Sequence, residues 1–108
     1  HGLDNLTLII DHNNLQSLTT VDKTLKLTPF KEKFESFGWE HFEVDGHDHD
    51  ELIKSFALLK GVTNKPKVIV AKTTKGKGVS FMENKVEWHY KSPDDKELAN
   101  AIKEIRNA

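Results

Sequence analysis

The chain has 108 residues, a net charge of -1, 36% hydrophobic and 31% charged residues, and a mean hydropathy of -0.59. That is room for one small domain or half of a larger one, and it excludes collagen-like, low-complexity and strongly disordered classes. With no cysteine and no apolar run longer than the four residues of Phe56-Ala-Leu-Leu59 or Val68-Ile-Val-Ala71, a disulfide scaffold, a thiolate metal site and a membrane-spanning helix are excluded as well, and the near-zero charge argues against a general nucleic-acid binder.

The sequence opens at His1 and reaches a strand almost at once. It has no basic segment leading an apolar one, which predicts no signal peptide and one piece of a larger fold. Leu6-Thr-Leu-Ile-Ile-Asp11 is nearly continuous in apolar residues and predicts a strand near 6–11, buried on both faces. His12 to Thr28 is polar and aperiodic, a long connection of the kind that carries function. Thr28-Pro29 predicts a helix start, with Thr28 as N-cap and Pro29 as the first helical residue. Phe30, Phe34 and Phe37 fall on one face of that helix, near 29–37, and Gly38 ends it. Trp39 to Val44 alternates apolar and polar residues, a strand near 39–44 with one less buried face.

Asp45-Gly46 is a turn, and Asp48 with Glu51 forms a capping-box pattern. Leu52, Ile53, Phe56 and Leu59 give the buried face of a helix near 49–60, closed by Gly61. Asn64-Lys65-Pro66 turns into a third buried strand near 67–71. Lys72 to Ser92 is a second long connection, and Ser92-Pro93 with Asp94 and Asp95 opens a helix near 93–106. Leu98, Ala101, Ile102 and Ile105 are expected to form its buried face. Strands alternating with helices predict an α/β fold, a three-layer parallel sheet with helices on both faces.

Both long connections leave carboxyl ends of strands, where ligands sit in such sheets. Asp11-His-Asn-Asn-Leu-Gln-Ser17 offers neutral oxygen ligands suited to Mg²⁺ or Ca²⁺, with Asp11 as loop support, or else an Asn-rich turn. Thr73-Thr-Lys-Gly-Lys-Gly78 pairs close backbone approach with positive charge, yet lacks the spacing of a nucleotide P-loop; a flexible turn explains it equally. His89, beside Trp88, suits proton transfer or a phosphate contact, or a structural role. His47 and His49 form a His-x-His pair, but no third zinc ligand is evident and Asp48 reads as a helix cap. The first fifty residues hold ten acids and four lysines, the rest seven acids and twelve bases. The basic half is either phosphate-facing or simply solvated.

Several of these stretches together resemble the transketolase family. They are Leu3 to Asp11, Asn13-Asn-Leu-Gln16, Phe37-Gly-Trp39, Val44-Asp-Gly-His-Asp48, Lys65-Pro66, Ala71 to Asn84 and Trp88-His89. The similarity spans the whole chain and is greatest to the N-terminal subunit of split bacterial and archaeal transketolases. The resemblance implies that residues 1–108 are the second half of a thiamine diphosphate-binding domain, in a cytoplasmic enzyme of the pentose phosphate pathway. That enzyme transfers a two-carbon ketol unit between sugar phosphates, with a divalent metal, Mg²⁺ or Ca²⁺.

The resemblance places Asn13 and the Leu15 backbone carbonyl on the metal, and makes Asn13, Leu15 and His89 cofactor-binding. It also makes His89 catalytic, at the diphosphate and the reacting carbon. Two departures stand out. Tyr90 occupies a position where the family has Gly, and the Gly-Asp-Gly half of the cofactor motif is absent. The implied partners are therefore the missing N-terminal half of the domain, a C-terminal transketolase subunit or domain, and sugar phosphate substrates, with no nucleic acid or membrane. The chain alone is expected to be inactive. The alternatives are a related thiamine diphosphate enzyme, such as a deoxyxylulose-phosphate synthase, and a non-catalytic truncated or assembly fragment.

Overall fold

The structure is a computed structural model and describes residues 1–107. Its elements in order are β1 (Thr7–His12), α1 (Val21–Thr24), α2 (Phe30–Ser36), β2 (Glu40–Asp45), α3 (His49–Leu59), β3 (Lys67–Lys72), a 3₁₀ turn (Val86–His89) and α4 (Asp95–Arg106). The three strands form one sheet in the order β1-β3-β2, and both pairings are parallel. Each expected strand lies within one residue of its place. Two features were not expected: α1, and the 3₁₀ turn inside the second long connection.

The chain divides into two compact units. The first, His1–His12 with Leu27–Thr73, holds the whole sheet with α2 and α3. Register explains its core. Ile9, Ile69 and Phe42 align across the strands, as do Asp11, Ala71 and Val44. Ile69, Ala71 and Val44 pack with Leu59, and Phe42 and Leu52 lie against them, so α3 covers this face. On the other face Ile10 aligns with Val70, and His12 meets Phe30 of α2 edge-on at 5.0 Å. Helices thus lie on both faces of the sheet.

Three expectations about burial change. Only β3, flanked by strands on both sides, is buried on both faces. β1 is an edge strand, and Ile9 is 52% exposed. In α3 the buried line runs through Leu52, Ser55 and Leu59, whereas Ile53 is 67% exposed. Ser55 is buried, and its hydroxyl donates to the Leu52 carbonyl at 2.8 Å, so the polar group is satisfied within the helix. Phe37 is 83% exposed, because α2 has already ended at Ser36.

Capping accounts for the helix boundaries. Pro29 keeps an extended ψ of 133°, so it is the N-cap of α2 and Thr28 lies outside the helix. Gly38, at φ +79°, ends α2 as expected, with Gly38 N–H on the Glu35 carbonyl and Trp39 N–H on the Phe34 carbonyl. Asp48 caps α3 by accepting from the Asp50 and Glu51 amides. Glu51 does not complete the capping box; it accepts from the Asp45 amide at 2.9 Å. The full box occurs instead at α4, between Asp94 and Glu97.

The second unit comprises Asn13–Lys26 and Thr74–Ala108, of which Ala108 lies outside the described residues. It buries few apolar side chains: Val21, Val79 and Ala101. The expected buried face of α4 is met only at Ala101: Leu98, Ile102 and Ile105 are exposed, because burial depends on what lies against a helix and not on its own pattern. No helix among the described residues is long and apolar enough to cross a membrane.

Candidate functional site

β1 and β3 are parallel neighbours, so their carboxyl ends, His12 and Lys72, sit side by side in register. The two long connections start there, and the second unit is built from them together with α4. The expectation that they leave one edge of the sheet is met. The strand ends are tied by side chains as well as by the ladder. Thr73 Oγ1 donates to the Asp11 carboxylate, and Thr73 N–H donates to the His12 carbonyl at 3.2 Å. Asp11 is thus the loop support, with its carboxylate committed to that tie.

Gly46 turns the neighbouring end of β2 against the same place. Its N–H donates to the Lys72 carbonyl at 2.7 Å. A Cβ there would lie 2.4 Å from the Thr73 methyl carbon, so only glycine fits without movement.

The first connection is ordered by its own polar groups. Asn13 Oδ1 accepts from the Leu15 amide at 3.0 Å, an Asx turn. Asn14 takes a left-handed φ of +60°, its carbonyl accepts from Val21 N–H at 2.9 Å, and Leu15 bridges to Thr20. The Asn-rich segment is therefore a folded turn, and this is compatible with metal binding. A carbonyl oxygen has two acceptor sites, and the Asx turn occupies one of them on Asn13. Asn13 Oδ1 and the Leu15 carbonyl are neutral oxygen donors of the kind a hard cation takes. Among the described residues no three His, Cys, Asp or Glu side chains are arranged to hold a metal.

The second connection is likewise folded on itself. Gly76 and Gly78 adopt φ +74° and +89°, conformations that favour glycine. Asn84 N–H reaches back to the Lys75 carbonyl at 3.0 Å, and the Gly78 amide donates to Glu83 Oε1 at 3.0 Å. Glu83 was not singled out in the sequence, where an acid five residues after a glycine gives no signal. The 3₁₀ turn then presents His89 at the surface, its ring meeting Tyr90 edge-on at 4.6 Å. Tyr90 is 79% exposed, so the large side chain stands beside the imidazole rather than being folded away. Asn13, Leu15 and His89 all belong to the second unit.

A parallel sheet with helices on both faces makes this an α/β domain, a class in which ligands sit at the carboxyl ends of the strands. Over residues 1–106 the chain matches the family described as transketolase, thiamine diphosphate binding domain, and it belongs to that family. It is 35% identical to an apulose-4-phosphate transketolase subunit of Phocaeicola vulgatus, a match covering 97% of the chain and 37% of the relative. It is 38% identical to human transketolase, covering 94% of the chain and 16% of that protein. The crystal structure of transketolase from Campylobacter jejuni superposes with a TM-score of 0.88 at 31% identity, over 98% of the chain and 16% of that structure. The chain thus spans well under half the length of these relatives.

Proposed function

We propose that this chain forms the second half of a thiamine diphosphate-binding domain in a transketolase. Such an enzyme moves a two-carbon ketol unit between sugar phosphates. The observation that carries the reading is the family match along the whole chain, on a sheet whose two ordered loops leave adjacent carboxyl ends. When bound, thiamine diphosphate supplies the nucleophilic carbon and the electron sink for carbon–carbon cleavage.

The protein's own part is to hold and to move protons. Asn13 Oδ1 and the Leu15 carbonyl would hold a divalent cation, Mg²⁺ or Ca²⁺, whose charge would offset that of the diphosphate. His89 donates a hydrogen bond to a phosphate oxygen and exchanges a proton with the sugar at the reacting carbon. The anionic metal ligand is expected from the Gly-Asp-Gly half of the domain. The exposed apolar residues in and just before β1, Leu6, Leu8 and Ile9, are the surface that half would cover. A C-terminal transketolase partner completes the assembly, in keeping with the Phocaeicola vulgatus relative, whose name is that of one subunit rather than a whole enzyme.

The test is Asn13→Ala in the full-length protein. Mg²⁺ affinity, measured by calorimetric titration in the presence of thiamine diphosphate, should fall by at least about tenfold. Excess Mg²⁺ should recover part of the activity by mass action. Unchanged affinity for metal and cofactor would leave Asn13 as a turn residue alone.

A further inference from the structure

We infer that Glu104 of α4 is a positioning residue for His89, acting through Ser80, Phe81 and Trp88. The inference rests on the reading above, in which His89 serves the cofactor and substrate. The contacts form a continuous path within the second unit. Glu104 grips Ser80 twice, accepting from its amide at 2.6 Å and from its hydroxyl at 2.9 Å. The next residue, Phe81, accepts from the Trp88 indole N–H at 3.0 Å, and the two rings meet at 5.5 Å. Trp88 immediately precedes His89 in the 3₁₀ turn.

That turn needs such a support. It has four residues, no side-chain cap and no buried residue, and its flanks Lys85 and Tyr90 are exposed. Short 3₁₀ turns have poor intrinsic hydrogen-bond geometry and hold their place through tertiary contacts. A two-oxygen grip by a carboxylate on one residue fixes direction as well as distance, and hydrogen bonds to a charged acceptor are the stronger kind. A helix is also a more rigid mount than a loop.

The same turn is fastened to the start of α4 on its other side. Lys91 lies over the Trp88 ring at 4.2 Å and pairs with Glu97 at 2.5 Å, and Glu97 itself closes the capping box with Asp94. Trp88 is therefore held from both ends of one helix. Glu97 divides its carboxylate between Lys91 and the Asp94 amide, and reaches Trp88 only through the long Lys91 side chain. Both oxygens of Glu104 hold Ser80, one of them through the backbone, so Glu104 is the firmer of the two anchors. The expected consequence is a His89 whose ring position, not its identity, depends on α4.

The experiment uses the full-length protein with Glu104→Ala, Glu104→Gln and Trp88→Phe. Trp88→Phe removes the indole donor but keeps an aromatic ring. Hydrogen exchange should rise by about tenfold or more at the Ser80 to His89 amides in Glu104→Ala, and remain near wild type elsewhere. kcat/KM should fall by about 10- to 100-fold, the scale of a misplaced catalytic group. Glu104→Gln keeps one acceptor oxygen and should recover most of both losses.

The deciding comparison adds Glu104→Ala to His89→Ala. If Glu104 acts through His89, the double variant is no slower than His89→Ala alone. Unchanged exchange in Glu104→Ala, full activity in Glu104→Ala, or a purely additive double variant would each overturn the inference. Wild-type kinetics in His89→Ala would refute the role given to His89 and this positioning role with it. Raised exchange at Ser80 to His89 in Glu104→Ala would then still show the grip itself, which separates the two failures.

Discussion

The two units of the chain are held together by different physics. The sheet unit has a dry centre: Val68, Ile69 and Val70 of β3 are each 0% exposed, with ladder partners on both sides. The loop unit buries little apolar surface and is ordered by directed polar contacts, such as Asn13 to Leu15, Glu83 to Gly78 and Glu104 to Ser80. Hydrophobic burial tolerates small shifts but determines whether the unit exists. Directed hydrogen bonds add little net stability, yet they fix where a particular atom sits. A scaffold and a set of placed groups are thus separated in one short sequence.

The largest expected effect breaks the loop unit's function while sparing the scaffold. His89→Ala in the full-length protein should lower kcat/KM by about 10²–10⁴, the usual contribution of a positioned acid–base group. His89 is exposed and its ring meets that of its neighbour Tyr90, so its loss leaves no cavity. The thermal midpoint and far-ultraviolet circular dichroism should match wild type. Full activity in that variant would return His89 to a structural role.

The converse substitution strikes the scaffold. Ile69→Ala removes buried methylene groups from the strand that both other strands pair with, beneath Leu59 and Leu52 of α3. Loss of about 2–5 kcal/mol is expected, from lost transfer free energy together with the cavity left behind. Denaturant unfolding of the full-length protein measures it. A loss below about 1 kcal/mol would mean that the β3 environment collapses freely around the gap, contrary to the close packing of protein interiors.

The same division explains what the sequence disclosed. β3 was legible because Lys67-Val-Ile-Val-Ala71 is continuous in apolar residues, and α3 because Asp48 announces its start. The buried line of α3 was misassigned by one step around the helix. Ile53 and Phe56 carry more hydrophobicity than Ser55, yet Ser55 is the buried one, because burial follows the packing of the helix and not the hydrophobicity of a single residue. In β1 the apolar run gave the strand correctly but not its exposure, since burial of a strand depends on what lies beside it.

In the loop unit, glycine at positions 76 and 78 marked the backbone turns, and the resemblance to transketolases marked Asn13, Leu15 and His89. Nothing in the sequence linked Glu104 to Ser80, because a contact between residues so far apart follows no local period. α1 was missed for a related reason. Its four residues are too few for a period, and they follow a turn in which the Asn14 carbonyl accepts from the Val21 amide.

The smallest predicted effect tests whether polar ties matter to the scaffold at all. Lys72 and Glu43 pair at 2.6 Å, near the carboxyl ends of β3 and β2. The hydrogen bond from Lys72 is the chief cause that lowers the Glu43 pKa below its ordinary 4.5; burial opposes it, and the charges of Lys72, His41 and His12 add to it. A carboxylate with a lowered folded pKa contributes stability above its unfolded pKa, and that contribution is lost as the pH falls through the folded value. The window therefore lies below about pH 4.5. Both side chains are well exposed, at 61% and 48%, so solvent screens the pair. Glu43→Gln should then cost less than about 0.5 kcal/mol at pH 7, and the difference from wild type should shrink as the pH falls below about 4.5. Urea unfolding of the full-length protein at pH 7 and pH 3.5, with and without added salt, measures this. A cost above about 1 kcal/mol at pH 7, undiminished by salt, would show that the sheet unit too depends on a directed polar contact, and the contrast between the units would narrow.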